Sequence, residues 1–352
     1  MGILIKFDKI NVMNTILTEK KSDRDILRGL LIISVVIGHC SPNWISQVIY
    51  WFHMPAFFIL SGELHKSVYS KEYLKRKAVN FLWPLFAYSF AIEVIWQNKI
   101  LNFLKIIILG GGRYVTGVYW FLPVLFFTEI LYSLLLKLKL DDKKLWLISM
   151  LLLAASSVYS YAFYRGLPNN YLEWPDIKKV PWNLDVVAFA LSYYIFGHLG
   201  KKNKRVLLDK AKIIESLLSI FFIVAIICKI VTTFEYRIDV KLAIYPNFLF
   251  NLFLPVGGYC IMNQMAHLIT KWQIIGRVLS DIGKNSLSIM FSHLPLISFI
   301  SSHITVAWWF KVILGVFIPY ILVGNLKKLI SKRNHYLRTE RWDGIFRLLM
   351  RL

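Results

Sequence analysis

Long apolar runs dominate the chain, and short polar segments rich in lysine and arginine separate them. The runs are roughly 18–24 residues long, the length that an α-helix needs to cross a lipid bilayer. We therefore predict an all-α integral membrane protein, a polytopic bundle of about ten transmembrane helices. The predicted spans are 26–45, 46–65, 79–97, 115–136, 145–163, 184–200, 213–233, 243–265, 279–299 and 304–323.

Composition supports the membrane assignment. Of 352 residues, 57% are hydrophobic and 18% are charged, whereas soluble domains carry about 45–50% apolar and about 25% charged residues. The three cysteines, Cys40, Cys228 and Cys260, all lie inside apolar runs. A secreted scaffold held by disulfides is therefore excluded.

Positive charge is concentrated on one side of the predicted bundle. The chain has 42 Lys and Arg against 20 Asp and Glu, a net charge of +22. If the N-terminus is cytoplasmic, 30 of the 42 lie in inner segments and 8 in outer loops, as the positive-inside rule requires. This distribution argues against nucleic-acid binding. It predicts a cytoplasmic N-terminal tail (1–25), a transmembrane domain (26–323) and a basic cytoplasmic C-terminal tail (324–352).

Three segments do not follow the simple pattern of spans. Residues 100–112 are apolar but short and end in three glycines, which favours an interfacial or re-entrant helix over another crossing. The aromatic-rich loop 164–183 is the longest outer connection, either a connector or a cover over a polar acceptor. The C-terminal tail ends in RWDGIFRLLMRL, which predicts an amphipathic helix on the inner membrane surface.

Ionisable residues inside spans are energetically costly and mark functional sites by default. In the first span Arg28 and His39 are eleven positions apart, so they share one helix face and lie roughly 16 Å apart along the axis. Asp25 lies on the same face. Alternatively, Arg28 snorkels to the headgroups and His39 pairs with a neighbouring helix.

Two further histidines are expected at a similar depth in the outer half of the membrane. They are His53 in the second span and His293 in the ninth, where Ser286 shares its face. Three imidazoles at one depth favour a proton relay or a general base, because histidine alone titrates near neutral pH without perturbation. No metal site is predicted, since no HxxxH pair and no carboxylate stands at ligand spacing.

The remaining buried polar groups are interpreted more simply. We predict that Glu63, Glu93, Glu129, Asp185 and His198 form hydrogen bonds between helices. The inner loop YSKEYLKRKAVNFLWP is different in kind, because its cations lie near the Arg28 end of the membrane. They could cradle a phosphate-rich cytosolic ligand, or they could be ordinary positive-inside charge.

Five segments in order resemble the acyltransferase family 3 membrane proteins. They are DILRGLLIISVVIGH, FHMPAFFILSG, YLKRKAVNFLWP, WFLPVLF with Trp120, and IGKNSLSIMFSHLPL. Together they run from Asp25 to Pro295, and they look most like the fucose 4-O-acetylase-related branch. His39 matches the proposed catalytic histidine of the family, Arg28 its essential arginine and Arg76 its inner-loop arginine. Asn80 stands where the family often carries a second basic residue.

The resemblance implies a multi-pass enzyme of the bacterial inner membrane. Such an enzyme moves an acyl group, usually acetyl, from cytosolic acyl-CoA to a hydroxyl of a cell-surface or lipid-linked saccharide, with no bound cofactor. We expect the donor's phosphates at Arg28, Lys75, Arg76 and Lys77. Its pantetheine arm would reach roughly 15–20 Å into the bundle, comparable with the Arg28–His39 separation. The predicted catalytic residues are His39, Arg28 and His293, and the predicted supporting or acceptor-side residues are Asp25, His53, Trp120 and Ser286.

His39 could accept the acyl group or deprotonate the sugar hydroxyl, and we favour the general base. Two other classes of function remain open. A transporter or flippase for a lipid-linked sugar could use the histidines as a proton relay, although the chain shows no internal repeat. A scaffold for glycan assembly would leave the buried Arg and His residues without a role. The oligomeric state is not predicted.

Overall fold

The computed structural model describes residues 23–66, 69–164, 178–204, 208–232 and 234–337. These ranges are helical and contain no β-strand, only one isolated bridge between Asp239 and Ile244. The helices are α1 (23–40), α2 (Asn43–Tyr50), α3 (His53–Leu64), α4 (Lys71–Ser89), α5 (Ile100–Leu109), α6 (Phe121–Leu135), α7 (Asp142–Tyr164), α8 (Leu184–Lys204), α9 (Leu208–Val231), α10 (Phe248–Ile269), α11 (Gln273–Lys284), α12 (Ser286–His303) and α13 (Trp308–Leu337). A π-helical segment, Phe90–Trp96, continues α4.

Five helical stretches in the described ranges are long and apolar enough to cross a membrane. They are Lys71–Trp96, Phe121–Leu138, Asp142–Phe163, Lys210–Val231 and Phe248–Ile269. The protein is therefore a helical membrane protein, as predicted. The count of ten spans and the cytoplasmic position of both termini stay predictions. The middle of the loop 164–183 and the amphipathic helix expected at the C-terminus lie outside the described residues.

Two predicted spans are divided in the structure. The second, 46–65, is split into α2 and α3 at Phe52, whose φ of −134° leaves the helical region. Pro55 then lies in the first turn of α3, where its missing N–H has no carbonyl to meet. The ninth, 279–299, is split at Asn285 into α11 and α12. Apolar content alone does not reveal these breaks, because it is high on both sides of each.

The short segment 100–112 forms α5, which has only ten residues and is too short to span the bilayer, as predicted. It ends at Gly110, whose φ of +73° places it in the left-handed region that glycine tolerates. Any side chain at Gly110 would also meet Trp182. The glycine therefore both ends the helix and admits the loop 178–183 beside it.

Buried carboxylates join helices and loops, as predicted for three of them. Glu63 of α3 accepts a hydrogen bond from Tyr259 of α10 at 2.5 Å and forms an ion pair with Arg24 of α1. Glu93 accepts one from the Tyr119 hydroxyl at 2.8 Å. Asp185 at the start of α8 accepts one from Arg113 at 2.8 Å. Each of the three carboxylates thus joins its own helix to another helix or loop.

Candidate active site

A cavity of about 550 Å³ opens between α1, α3, α4, α6 and α12. Four cations line it: Arg28, Lys66, Arg76 and Lys77. The rest of the wall is Ile32, Phe57, Ser61, Leu64, His65, Tyr73, Asn80, Phe81, Phe121, Leu122, Leu125, Glu129, Ser286, Leu287 and Met290. The cavity therefore has a cationic part and an apolar part, which suits an anionic ligand with a slender uncharged arm.

The cationic part holds most of the predicted donor-binding residues. Arg28, Arg76 and Lys77 line the cavity, and so does Ser286, whereas Lys75 does not. Helical geometry explains the difference, because Tyr73, Arg76, Lys77 and Asn80 repeat at the spacing of one helix face. Lys75 lies about 150° from the middle of that face, on the opposite side of the helix. Asn80 stands within this face, and Lys66 adds a cation from the segment after α3.

Two of the cations are paired with carboxylates. Lys77 forms an ion pair with Glu129, which also accepts a hydrogen bond from the Tyr73 hydroxyl at 3.2 Å. Arg28 contacts Asp25 at 3.1 Å, one turn earlier on α1. Asp25 thus holds the Arg28 guanidinium at the cavity. Glu129 of α6 is therefore joined to α4 through Lys77 and Tyr73, as predicted for a contact between helices. It also lines the cavity.

The lining residues nearest the histidines along their helices are apolar and come one from each of four helices. They are Ile32, Phe57, Phe121 and Met290, and we call this end of the cavity the throat. The Phe57 and Phe121 ring centroids are 5.8 Å apart. His39 lies seven residues beyond Ile32 on α1, a distance of about 10 Å along the axis. His293 lies three residues beyond Met290 on α12, about 4.5 Å further. The throat therefore points toward the histidines.

The three predicted histidines come together beyond this throat. The ring centroids of His39 and His293 are 5.3 Å apart. Tyr50 joins His39 to His53: its hydroxyl is 3.2 Å from His39 Nδ1, and its ring centroid is 4.8 Å from that of His53. His53 and His293 are buried, whereas His39 is exposed. His39 is therefore the member of the cluster that a substrate can reach.

Hydrogen bonds assign the tautomers of the two buried histidines. His53 Nδ1 lies 2.8 Å from the Ile49 carbonyl oxygen, and His293 Nδ1 lies 2.9 Å from the Ile289 carbonyl oxygen. Because a carbonyl only accepts, each Nδ1 carries the proton and donates it. The Nε2 atom of neutral His293 is thus an acceptor, and it is buried without a hydrogen-bond partner among the described residues.

The loop between α9 and α10 lies beside the histidine cluster. Lys241 donates to the Gly117 carbonyl at 3.1 Å and acts electrostatically on His39. Burial lowers the pKa of the Lys241 amine, although Asp239 opposes this effect, and burial raises the pKa of the Asp239 carboxyl. Both groups are easier to neutralise here than in water.

Trp120 is buried at the start of α6, and its ring centroid is 6.0 Å from that of Phe121. It does not line the cavity but contacts Phe121, which does.

Sequence reasoning missed several residues of the site. No sequence pattern singles out Tyr73, His65, Lys66 or Tyr50, and for Glu129 the pattern indicates only a structural contact. A signal existed for Tyr73, which is three positions before Arg76 and so shares its face. No local pattern relates Tyr50 to His39, because they lie on different helices.

Comparison with known proteins agrees with the motifs. A family model described as an acyltransferase domain matches residues 23–324. The nodulation protein NolL of Sinorhizobium fredii (strain NBRC 101917 / NGR234) is 28% identical over 167 residues, 40% of this chain and 46% of that protein. The NolL of Mesorhizobium japonicum (strain LMG 29417 / CECT 9101 / MAFF 303099) is 27% identical over 214 residues, 51% and 56% respectively.

The chain thus spans about half the length of the curated relatives that it matches. No solved structure matches it. Because the family model covers most of the sequence, the chain belongs to acyltransferase family 3.

Proposed function

We propose that the protein transfers an acyl group, acetyl in the simplest case, from cytosolic acyl-CoA to a hydroxyl of a cell-surface or lipid-linked saccharide. One observation carries this proposal. A cavity with four cations at one end is lined by apolar residues at the other, and this apolar end lies toward a histidine cluster. Membership of an acyltransferase family supports the same reaction class.

The donor accounts for both parts of the cavity. The phosphates of acyl-CoA bind Arg28, Lys66, Arg76 and Lys77, since phosphate oxygens accept charge-assisted hydrogen bonds from such groups. Asn80 is neutral at the position where the family often carries a second basic residue. Lys66 supplies a positive charge to the same cavity in its place. The uncharged pantetheine arm then runs between Ile32 and Met290, which brings the thioester toward His39.

The acceptor hydroxyl approaches from the outer side, and His39 is its general base. His39 takes the hydroxyl proton as the oxygen attacks the thioester carbonyl. The new C–O bond forms and the C–S bond breaks. The thiolate of CoA leaves and takes up the proton from the imidazolium, so the enzyme returns to its starting state.

This reaction sets the orientation of the protein. The cationic cavity faces the cytosol, where acyl-CoA is made, and the histidines lie in the outer half of the membrane. We propose ten spans, both termini in the cytoplasm and the bacterial inner membrane as the location. The excess of cations in the predicted inner segments supports this orientation.

The test is the O-acetyl content of the surface glycan, measured by NMR. Cells lacking the gene receive the wild-type protein or His39→Ala at equal amounts in the membrane. We expect the acetyl signal to be lost in the deletion, restored by wild type and absent with His39→Ala. An unchanged acetyl signal with an altered glycan amount or chain length would instead support a transporter, and normal acetylation by His39→Ala would remove His39 from the mechanism.

A further inference from the structure

Tyr50 is the last residue of α2 and lies between two histidines of the cluster. Its ring meets His39 edge-on, with centroids 5.8 Å apart, and meets His53 at 4.8 Å. Its hydroxyl is 3.2 Å from His39 Nδ1. The break between α2 and α3 follows directly after Tyr50, whose ring lies against Gly38 near the end of α1.

His39 differs from the two buried histidines in the partner of its Nδ1 atom. Carbonyl oxygens fix Nδ1–H in His53 and His293. A hydroxyl can either donate or accept, so His39 alone of the three can carry its proton on either nitrogen. The partner of Nδ1 therefore decides whether Nε2 is a base or an N–H donor.

The charged and titratable groups around this pair are few. His39 interacts electrostatically with His293 of α12, with His53 of α3 and with Lys241 of the loop after α9. Tyr50 interacts electrostatically with Asp239 and Arg237 of the same loop. Within the described part of the chain, no carboxylate forms a hydrogen bond to the His39 ring. The phenol thus occupies the place that a carboxylate takes in a catalytic triad.

We propose that Tyr50 is a positioning residue that holds His39 with its proton on Nδ1, so that Nε2 faces the acceptor hydroxyl as the base. The phenol oxygen accepts the hydrogen bond from Nδ1–H. When Nε2 takes the proton of the acceptor, the same bond stabilises the imidazolium until the leaving thiolate removes that proton. The phenol keeps its own proton throughout. This inference rests on the proposed acyl transfer.

The test uses Tyr50→Phe, which keeps the ring contacts with His39 and His53 and removes only the hydroxyl. Purified protein in nanodiscs is assayed by CoA thiol release from acetyl-CoA, with glycan from the deletion strain as the acceptor. We expect kcat to fall roughly 10- to 100-fold at unchanged KM for acetyl-CoA, as for loss of a hydrogen bond to a charged group. The acidic limb of the kcat profile should move to lower pH, because the imidazolium loses a stabilising acceptor.

Tyr193→Phe is the matched control. It removes the hydroxyl of a buried tyrosine, which donates to the Asn251 carbonyl at 2.5 Å and forms no hydrogen bond to a histidine among the described residues. This variant should lose thermal stability without moving the pH profile. If Tyr50→Phe does not fold, 3,5-difluorotyrosine at position 50 keeps the hydroxyl but weakens its oxygen as an acceptor, and kcat should fall in the same direction.

The outcomes separate the two hypotheses. Wild-type protein that releases no CoA thiol contradicts the proposed function. Active wild type together with Tyr50→Phe of unchanged kcat and unchanged pH profile overturns the role of Tyr50 and leaves the acyl transfer intact. A loss of kcat with no shift in profile, equal to that of Tyr193→Phe, would also overturn it, because a structural role alone would explain that result.

Discussion

The cations of the inner cavity are held in different ways. Lys77 is paired with Glu129 and Arg28 with Asp25. Arg76 instead lies over the Tyr73 ring, 5.7 Å from its centroid, and no carboxylate pairs with it among the described residues. Since no carboxylate offsets its charge, Arg76 can bind an incoming phosphate.

We therefore predict that Arg76→Ala raises the KM for acetyl-CoA about 10-fold, the effect of losing one charge-assisted hydrogen bond. The value of kcat should stay close to that of wild type, because Arg76 is remote from the histidines. Steady-state kinetics on purified protein measures both constants.

Lys212→Ala is the control for this measurement. It removes an exposed cation from the beginning of α9, outside the cavity. If Arg76→Ala and Lys212→Ala raised the KM for acetyl-CoA by the same factor, general surface charge, and not the cavity, would attract the donor.

At the scale of elements, α3 and α8 approach so closely that each needs a glycine at the contact. A Cβ atom on Gly62 of α3 would meet the carbonyl oxygen of Tyr194, and one on Gly197 of α8 would meet that of Ile59. Phe57 and Ser61 of α3 line the cavity. The glycine contact therefore sets the position of one cavity wall.

We predict that Gly197→Ala destabilises the protein by about 1–3 kcal/mol, because the new methyl group forces the two backbones apart. Thermal unfolding in detergent measures the effect. Gly200→Ala on the same helix is the matched control, since a Cβ there meets nothing within 4 Å. It should be neutral or slightly stabilising through helix propensity. Similar losses for both variants would show that the close contact is not the cause.

At the scale of the whole molecule, the proposed orientation places the loop between α12 and α13 outside and the start of α7 inside. Thr305 and Lys144 are exposed at these two places. In a background without Cys40, Cys228 and Cys260, we predict that Thr305→Cys reacts with a membrane-impermeant maleimide in intact spheroplasts. Lys144→Cys should react only after permeabilisation. The reverse pattern would invert the topology and remove the cytosolic route to the cationic cavity.

Much of the fold class and part of the site follow from local regularities. Long apolar runs predict membrane helices because a bilayer demands internal backbone hydrogen bonding over a set length. The placement of Arg28 and His39 on one face follows from the period of a single helix. Similarly, Arg76 and Lys77 were expected at the donor end from the basic loop, and both line the cavity.

Other features depend on how helices pack, which apolar patterns in a membrane protein barely encode. Lipid and core are both apolar, so a span carries little periodic signal for the face that it buries. For this reason the sequence did not indicate that Glu129 pairs with Lys77, or that Lys75 turns away from the cavity.

By itself, the sequence determined the all-helical membrane class, the family and the types of residue that form the candidate site. Each of these depends on residues within one helix or one motif. The tertiary structure alone decided which side chains meet. It brought His39, His53 and His293 together, and it placed Tyr50 against the one ring whose tautomer is not set by a backbone carbonyl. Such contacts join residues on different helices, and only the packing of those helices determines their distance.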